Sequence, residues 1–240
     1  METHNSSAAL ALIWTHSDAI IKTVALVLFL MSIATWSIFV SKALGLRKQR
    51  RYAQQIDGFW HTKDIGSGLD HLGRNTHNPF YAAALEGHEA TQHLAHASTA
   101  NTRQLHDGMD LSDWVERALK KSLDDHTVRA HSGLSVLASV ASTAPFIGLF
   151  GTVWGIYHAL MGIGAAGQVN IGQVAGPIGE ALIMTALGLL VAIPAVLGYN
   201  AMLRGNKALS YQLTRFAHDL HAYFVTGARV RRAAQSNTPN

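Results

Sequence analysis

Cysteine is absent from the 240 residues. That excludes a disulfide framework, a thiolate metal site and a cysteine nucleophile. Charge is scarce as well. Asp, Glu, Lys and Arg make up 14% of the chain, where globular domains carry roughly 25%. The shortage is local: between Gly133 and Leu203, Glu180 is the only residue of those four types. The first 21 residues contain no Lys or Arg, so no basic n-region of a signal peptide is expected. There is no G-x-x-x-x-G-K-[ST] phosphate loop and no GxGxxG after a strand, and nothing points to a Ser–His–Asp arrangement. No catalytic residue and no cofactor are therefore expected.

What fills the chain is apolar. Hydrophobic residues reach 48% and gather in runs suited to a membrane. Val24 to Val40 is the first run, near the lower limit for a span; Ala19 to Thr23 lengthen it, with Lys22 able to reach the interface. Leu134 to Ile163 and Val174 to Met202 are longer than a bilayer core of about 30 Å requires. The expectation is an all-α integral membrane protein with three transmembrane helices, the second and third extending into the cytoplasm.

Basic residues set the orientation. Lys42, Arg47, Lys48, Arg50 and Arg51 follow the first run, Lys120, Lys121 and Arg129 precede the second, and Arg204, Lys207 and Arg215 follow the third. The segment before the first run and the connection Gly164 to Gln173 have none. The expected order is a periplasmic segment (1–18), helix 1 (19–42), a cytoplasmic helical domain (43–133), helix 2 (134–163), a periplasmic loop (164–173), helix 3 (174–203) and a cytoplasmic C-terminal helix and tail (204–240). The net charge of +4 is explained by this membrane-flanking pattern, so no nucleic-acid partner is expected. Residues 43–133 hold eleven Lys/Arg and eleven Asp/Glu, a solvated surface. Asn78 before Pro79 marks one helix start. Ser112 or Asp113 is a candidate cap for an amphipathic helix that is expected to run on into the second span.

Glu180 is the residue that the apolar runs do not explain. A carboxylate in hydrocarbon costs at least a few kcal/mol. It is either protonated or facing water, and both conditions suit a proton carrier. The competing explanation places it near the outer end of the third span, satisfied by water or headgroups, since it lies only about 9 Å beyond Val174. Thr152 and Thr185 are candidate partners, although threonine in a membrane helix often bonds only to its own turn. Thr185 follows Glu180 by five residues, about 7.5 Å along the helix and about 140° around it. One ideal helix face cannot present both, so a shared path must run between helices or subunits, or the helix must be distorted. Pro177 and Pro194 allow the latter.

Small residues supply close-packing faces. Gly151 and Gly155 have the GxxxG spacing with Gly148 before them, and Gly188 and Ala192 form a second pair. Three spans enclose little volume, so these faces are candidate interfaces of an oligomer. Asp18 and Lys22, four residues apart, can pair at the outer end of the first helix or contact a partner there, and His16 lies beside them. His158 is a candidate relay or an interface histidine. Fourteen histidines are present. His88, His93 and His96 lie close in sequence but have poor spacing for one face and no completing cluster, so no metal site is expected.

The stretches "APFIGLFGTVWGIYHALMGIGAAG" (144–167), "VAGPIGEALIMTALGLLVAIPAVLGYN" (174–200) and "HSDAIIKTVALVLFLMSIATWSIFVSK" (16–42) resemble the three membrane helices of the ExbB/TolQ/MotA proton-channel family. The first helix favours its ExbB branch. The resemblance implies a homo-oligomeric bundle, a pentamer, around a central pore in the bacterial inner membrane. Single-span ExbD-like subunits would sit inside the pore and a TonB-like protein would be driven by it. The output would be outer-membrane uptake of iron–siderophores and vitamin B12. It also implies that Thr152, Glu180 and Thr185 line the pore. Alternatives are a TolQ-type subunit, a non-conducting scaffold, and a membrane enzyme using Glu180 as a base.

Overall fold

The computed structural model describes residues 18–97, 110–166 and 171–227. Regular structure among them is helical throughout: α1 (Ala19–Gln54), α2 (Ile56–Phe59), α3 (Ile65–His71), α4 (Pro79–Ala97), α5 (Leu111–His131), α6 (Leu134–Ala166) and α7 (Ile171–Thr226). Three helical stretches are long and apolar enough to cross a membrane. The chain divides into two compact units, one built from the residues up to Ala43 and Gly133–Leu203, the other from Leu44–Ser132 and the residues from Arg204 onward.

In the first unit α1, α6 and α7 pack around Ile21, Val24, Leu28, Val140, Ala144, Met184, Val191 and Ala195. The packing is close because glycine meets backbone. A Cβ added at Gly148 would lie 2.6 Å from the Met184 carbonyl oxygen, and one at Gly188 would lie 2.7 Å from that of Ala144. Neither neighbour is a flexible side-chain end that could move aside, so the approach of α6 to α7 depends on both glycines. The outward faces are apolar too: Phe29, Phe146, Leu190 and Leu197 are all exposed. Such a continuous apolar surface requires hydrocarbon or a neighbouring subunit to cover it.

The second unit has a separate core. Phe216 of α7 packs edge-on against Phe59 at 5.3 Å, Phe80 at 5.6 Å and Trp60 at 5.9 Å between ring centroids. Leu72, Val115, Leu213 and Leu220 complete it. Asn78 caps α4: its Oδ1 accepts from the Phe80 N–H at 3.0 Å while its Nδ2 donates to the Leu72 carbonyl at 2.9 Å. Asn206 donates to the Ala130 carbonyl at 2.9 Å, satisfying an acceptor in the last turn of α5.

Several boundaries differ from expectation. α1 continues past residue 42 to Gln54, because the basic stretch that follows the span contains good helix formers and no proline. All three long helices, and not just two, therefore exceed the span length. The cap of α5 is Asp110, whose carboxylate accepts from the Leu111 N–H at 2.8 Å; Ser112 and Asp113 lie inside the helix. α5 does not run on into α6, since Gly133 takes φ +80° between them, a conformation glycine adopts freely. α6 and α7 reach into the expected 164–173 connection from both sides.

Candidate functional site

Thr152 joins the two helices that carry the polar candidates. It is buried on α6. Its hydroxyl donates to the Ala181 carbonyl of α7 at 2.9 Å, with the Gly148 carbonyl of its own helix at 3.3 Å. It also bonds the Thr185 hydroxyl across the helix pair. Thr152 has one proton to give, so donation to Ala181 leaves its oxygen to accept from Thr185. The two hydroxyls and a carbonyl form a short polar chain inside an apolar contact. The glycines make it possible: without side chains at Gly148 and Gly188, the threonines come within hydrogen-bonding distance.

Glu180 immediately precedes Ala181 and is half-buried. The Ala181 carbonyl that Thr152 engages thus lies next to the acidic residue in the chain. Thr185 is also half-buried. Thr152 contacts Thr185 by side chain and the Glu180 end by the Ala181 backbone, so the link runs between helices.

The small residues divide by role. Gly148 and Gly188 meet backbone of the opposite helix, an added Cβ at Gly151 would lie 3.0 Å from Met184 Cβ, and one at Gly155 would lie 2.8 Å from Ala181 Cβ. Ala192 is buried in the same core. The close approaches offered by the sequence as faces between subunits are thus used within one chain.

At the start of α1 the expected Asp18–Lys22 pair does not form. The Asp18 carboxylate turns to α6, where the Trp154 indole N–H donates to Oδ2 at 2.7 Å and His158 Nε2 stands 3.6 Å from the same oxygen. The Trp154 and His158 rings lie 4.7 Å apart. The Trp154 hydrogen bond holds the Asp18 carboxyl below its ordinary value, against a smaller opposing effect of desolvation, and the backbone N–H of Ala19, the charge of His158 and the N–H of Ile20 add to the lowering. Lys22 loses the competition because an indole N–H in an apolar helix needs an acceptor, whereas an ammonium on a long stem can reach water. Trp154 is the partner that sequence reading missed. The available signal was its N–H, placed four residues before His158 in a stretch with no local acceptor.

The remaining histidine candidates do not converge. His88 bonds Gln92 at 3.0 Å, and among the described residues no group of three His, Asp or Glu is arranged to hold a metal ion. His16 lies outside the described residues, as does the side chain of His96.

Comparison with known proteins follows the same lines. A sequence model described as the MotA/TolQ/ExbB proton channel family matches residues 80–215. The biopolymer transport protein ExbB of Xanthomonas campestris pv. campestris is 39% identical over 210 residues, covering 87% of this chain and 83% of that protein. ExbB of Neisseria meningitidis serogroup A is 40% identical over 214 residues, 88% of this chain and 95% of that one. The Tol-Pal system protein TolQ of Haemophilus influenzae is 31% identical over 189 residues, 78% and 80% of the two chains. An apolar three-helix unit, a polar link between α6 and α7, and likeness over most of the length agree: this chain is a membrane protein and belongs to the MotA/TolQ/ExbB proton channel family, in which it is more similar to these ExbB proteins than to this TolQ.

Proposed function

We propose that the chain is the ExbB-type subunit of a proton-driven motor in the bacterial inner membrane, energising a TonB-like protein for outer-membrane uptake of iron–siderophores and vitamin B12. The observation that carries this reading is the polar link from Thr152 to Thr185 and to the Ala181 carbonyl beside Glu180. It sits in a unit that is otherwise almost without charge, and its ExbB relatives are about 40% identical. Five copies would surround a pore, with the exposed apolar faces of the first unit covered by lipid and by neighbouring copies. ExbD-like single-span subunits would occupy the pore and exchange protons with Glu180. The N-terminus would lie in the periplasm, with the 43–133 segment and the C-terminus in the cytoplasm. One elementary charge crossing 100 mV releases about 2.3 kcal/mol, so a few protons per cycle match the work of breaking several contacts.

Thr185 is the member of the link nearer the surface, and Thr152 supports it from behind. In this arrangement Glu180, Thr185 and Thr152 line the pore, with Thr152 holding Thr185 in place. Glu180→Ala is expected to abolish energised siderophore uptake while the oligomer and its single-span partner still co-purify. Normal uptake by that variant would sink the proposal. A deletion strain separates the two branches: iron starvation marks the ExbB role, and detergent sensitivity with chained cells marks the TolQ role.

A further inference from the structure

Asp18, Trp154 and His158 form a cluster that lies apart from the Thr152–Thr185 link. Asp18 is the residue from which α1 starts: its carbonyl accepts from the Lys22 N–H at 3.1 Å. Its carboxylate is the group through which that end of α1 bonds to α6, by way of the Trp154 indole at 2.7 Å. His158 faces the same carboxylate oxygen at 3.6 Å, one helical turn beyond Trp154, and its ring lies 4.7 Å from the indole. One oxygen thus receives a permanent neutral donor and a second group whose charge depends on a proton. With His158 neutral, the indole bond adds to the apolar packing of Ile21 and Val24 that already holds the helices together. With His158 protonated, an ion pair joins it, and the imidazolium also meets the face of an aromatic ring.

We propose that His158 and Asp18 are a second proton-binding site of this protein, in which a proton taken from water by the His158 imidazole fastens the start of α1 to α6 and its loss loosens that fastening. The bond made and broken is one N–H, and the proton returns to water. Among the described residues, other charged or titratable groups nearby are few. On α1, Lys22 lies one turn beyond Asp18. On α6, the Tyr157 ring is 5.5 Å from that of His158. On α7, Ala181 lies against Gly155, and the residue before it, Glu180, is the one charged side chain of that stretch. In the orientation proposed above this site faces the periplasm, the side from which the gradient delivers protons. The site itself does not rest on that orientation.

The absence of cysteine permits a direct test. Spin labels at Ala19→Cys on α1 and Met161→Cys on α6 report the separation of the two helix ends in the full-length purified protein, with labelled chains diluted in unlabelled ones. Distances are measured at about pH 5.5 and about pH 8.5, either side of the ordinary histidine value. The expected result is a distance distribution roughly twofold broader at the higher pH, because the ion pair is present only in the protonated form. His158→Gln should show the broad distribution at both pH values, and His158→Lys, which keeps a cation, the narrow one at both. Asp18→Asn retains an oxygen for the Trp154 N–H but not the charge, and should lose the pH response. Equal widths at the two pH values in the unaltered background, or a pH response that survives in His158→Gln, would overturn the proposal.

Discussion

His126 shows how one residue can set a pH limit on the second unit. It is buried in α5, and neither ring nitrogen has a hydrogen-bond partner among the described residues. Burial pushes its imidazole below the ordinary value of 6.5, and the charge of Arg129 acts in the same direction. The unfolded chain therefore binds a proton more readily than the folded one. The stability this residue permits is fully present above a pH of about 6.5 and is lost as pH falls through the lower folded value. The protein should melt at a lower temperature at about pH 5 than at about pH 7.5, and His126→Leu should lessen that difference. Leu also removes two buried polar atoms, each of which costs about 1–3 kcal/mol when unpaired. A melting curve for His126→Leu with the same acid sensitivity as the parent would exclude this assignment. Glu180 poses the opposite case at the same scale: its chemistry was evident from its isolation in the sequence, but its neighbours were not.

For the helices, the decisive property is how closely α6 and α7 approach. Gly148 faces a carbonyl oxygen that cannot yield, so Gly148→Ala must push the helices apart. The expected cost is about 1–3 kcal/mol, and the Thr152–Thr185 contact should weaken with it. Gly45 of α1 has nothing within 4 Å of an added Cβ. Gly45→Ala should be neutral or stabilising by up to about 1 kcal/mol, since it only removes backbone freedom. Thermal unfolding of the two variants side by side separates packing from helix propensity, and equal shifts would show that the approach of α6 to α7 is not the limiting contact. The glycine spacing was visible in the sequence. Whether it served contacts within a chain or between chains was not, because small-residue motifs fit either use.

On the scale of the whole molecule, the two units have separate cores and should have separable stabilities. Phe216 anchors the second core through three aromatic neighbours. Phe216→Ala should cost about 3–5 kcal/mol there and leave the first unit, held by different residues, in place. Limited proteolysis of membranes should then release fragments of residues 44–132 while the α6–α7 pair remains membrane-bound. Loss of both units together would mean that they unfold as one.

The sequence alone determined that the described residues are helical, that three helices are long and apolar enough to cross a membrane, and that Glu180 is exceptional. These follow from the length of apolar runs and the near absence of charge, quantities that need no knowledge of neighbours. It also determined the start of α4, because Asn78–Pro79 is a local signal complete in two residues. Only the tertiary structure decided that Asp18 bonds Trp154 in place of Lys22, that Thr152 ties Thr185 to the backbone beside Glu180, and that Gly148 and Gly188 serve one chain's own helix pair. Each of these depends on residues 29 or more positions apart reaching hydrogen-bond or van der Waals distance. Helical periodicity gives the face a residue occupies on its own helix, but not which face of another helix it meets.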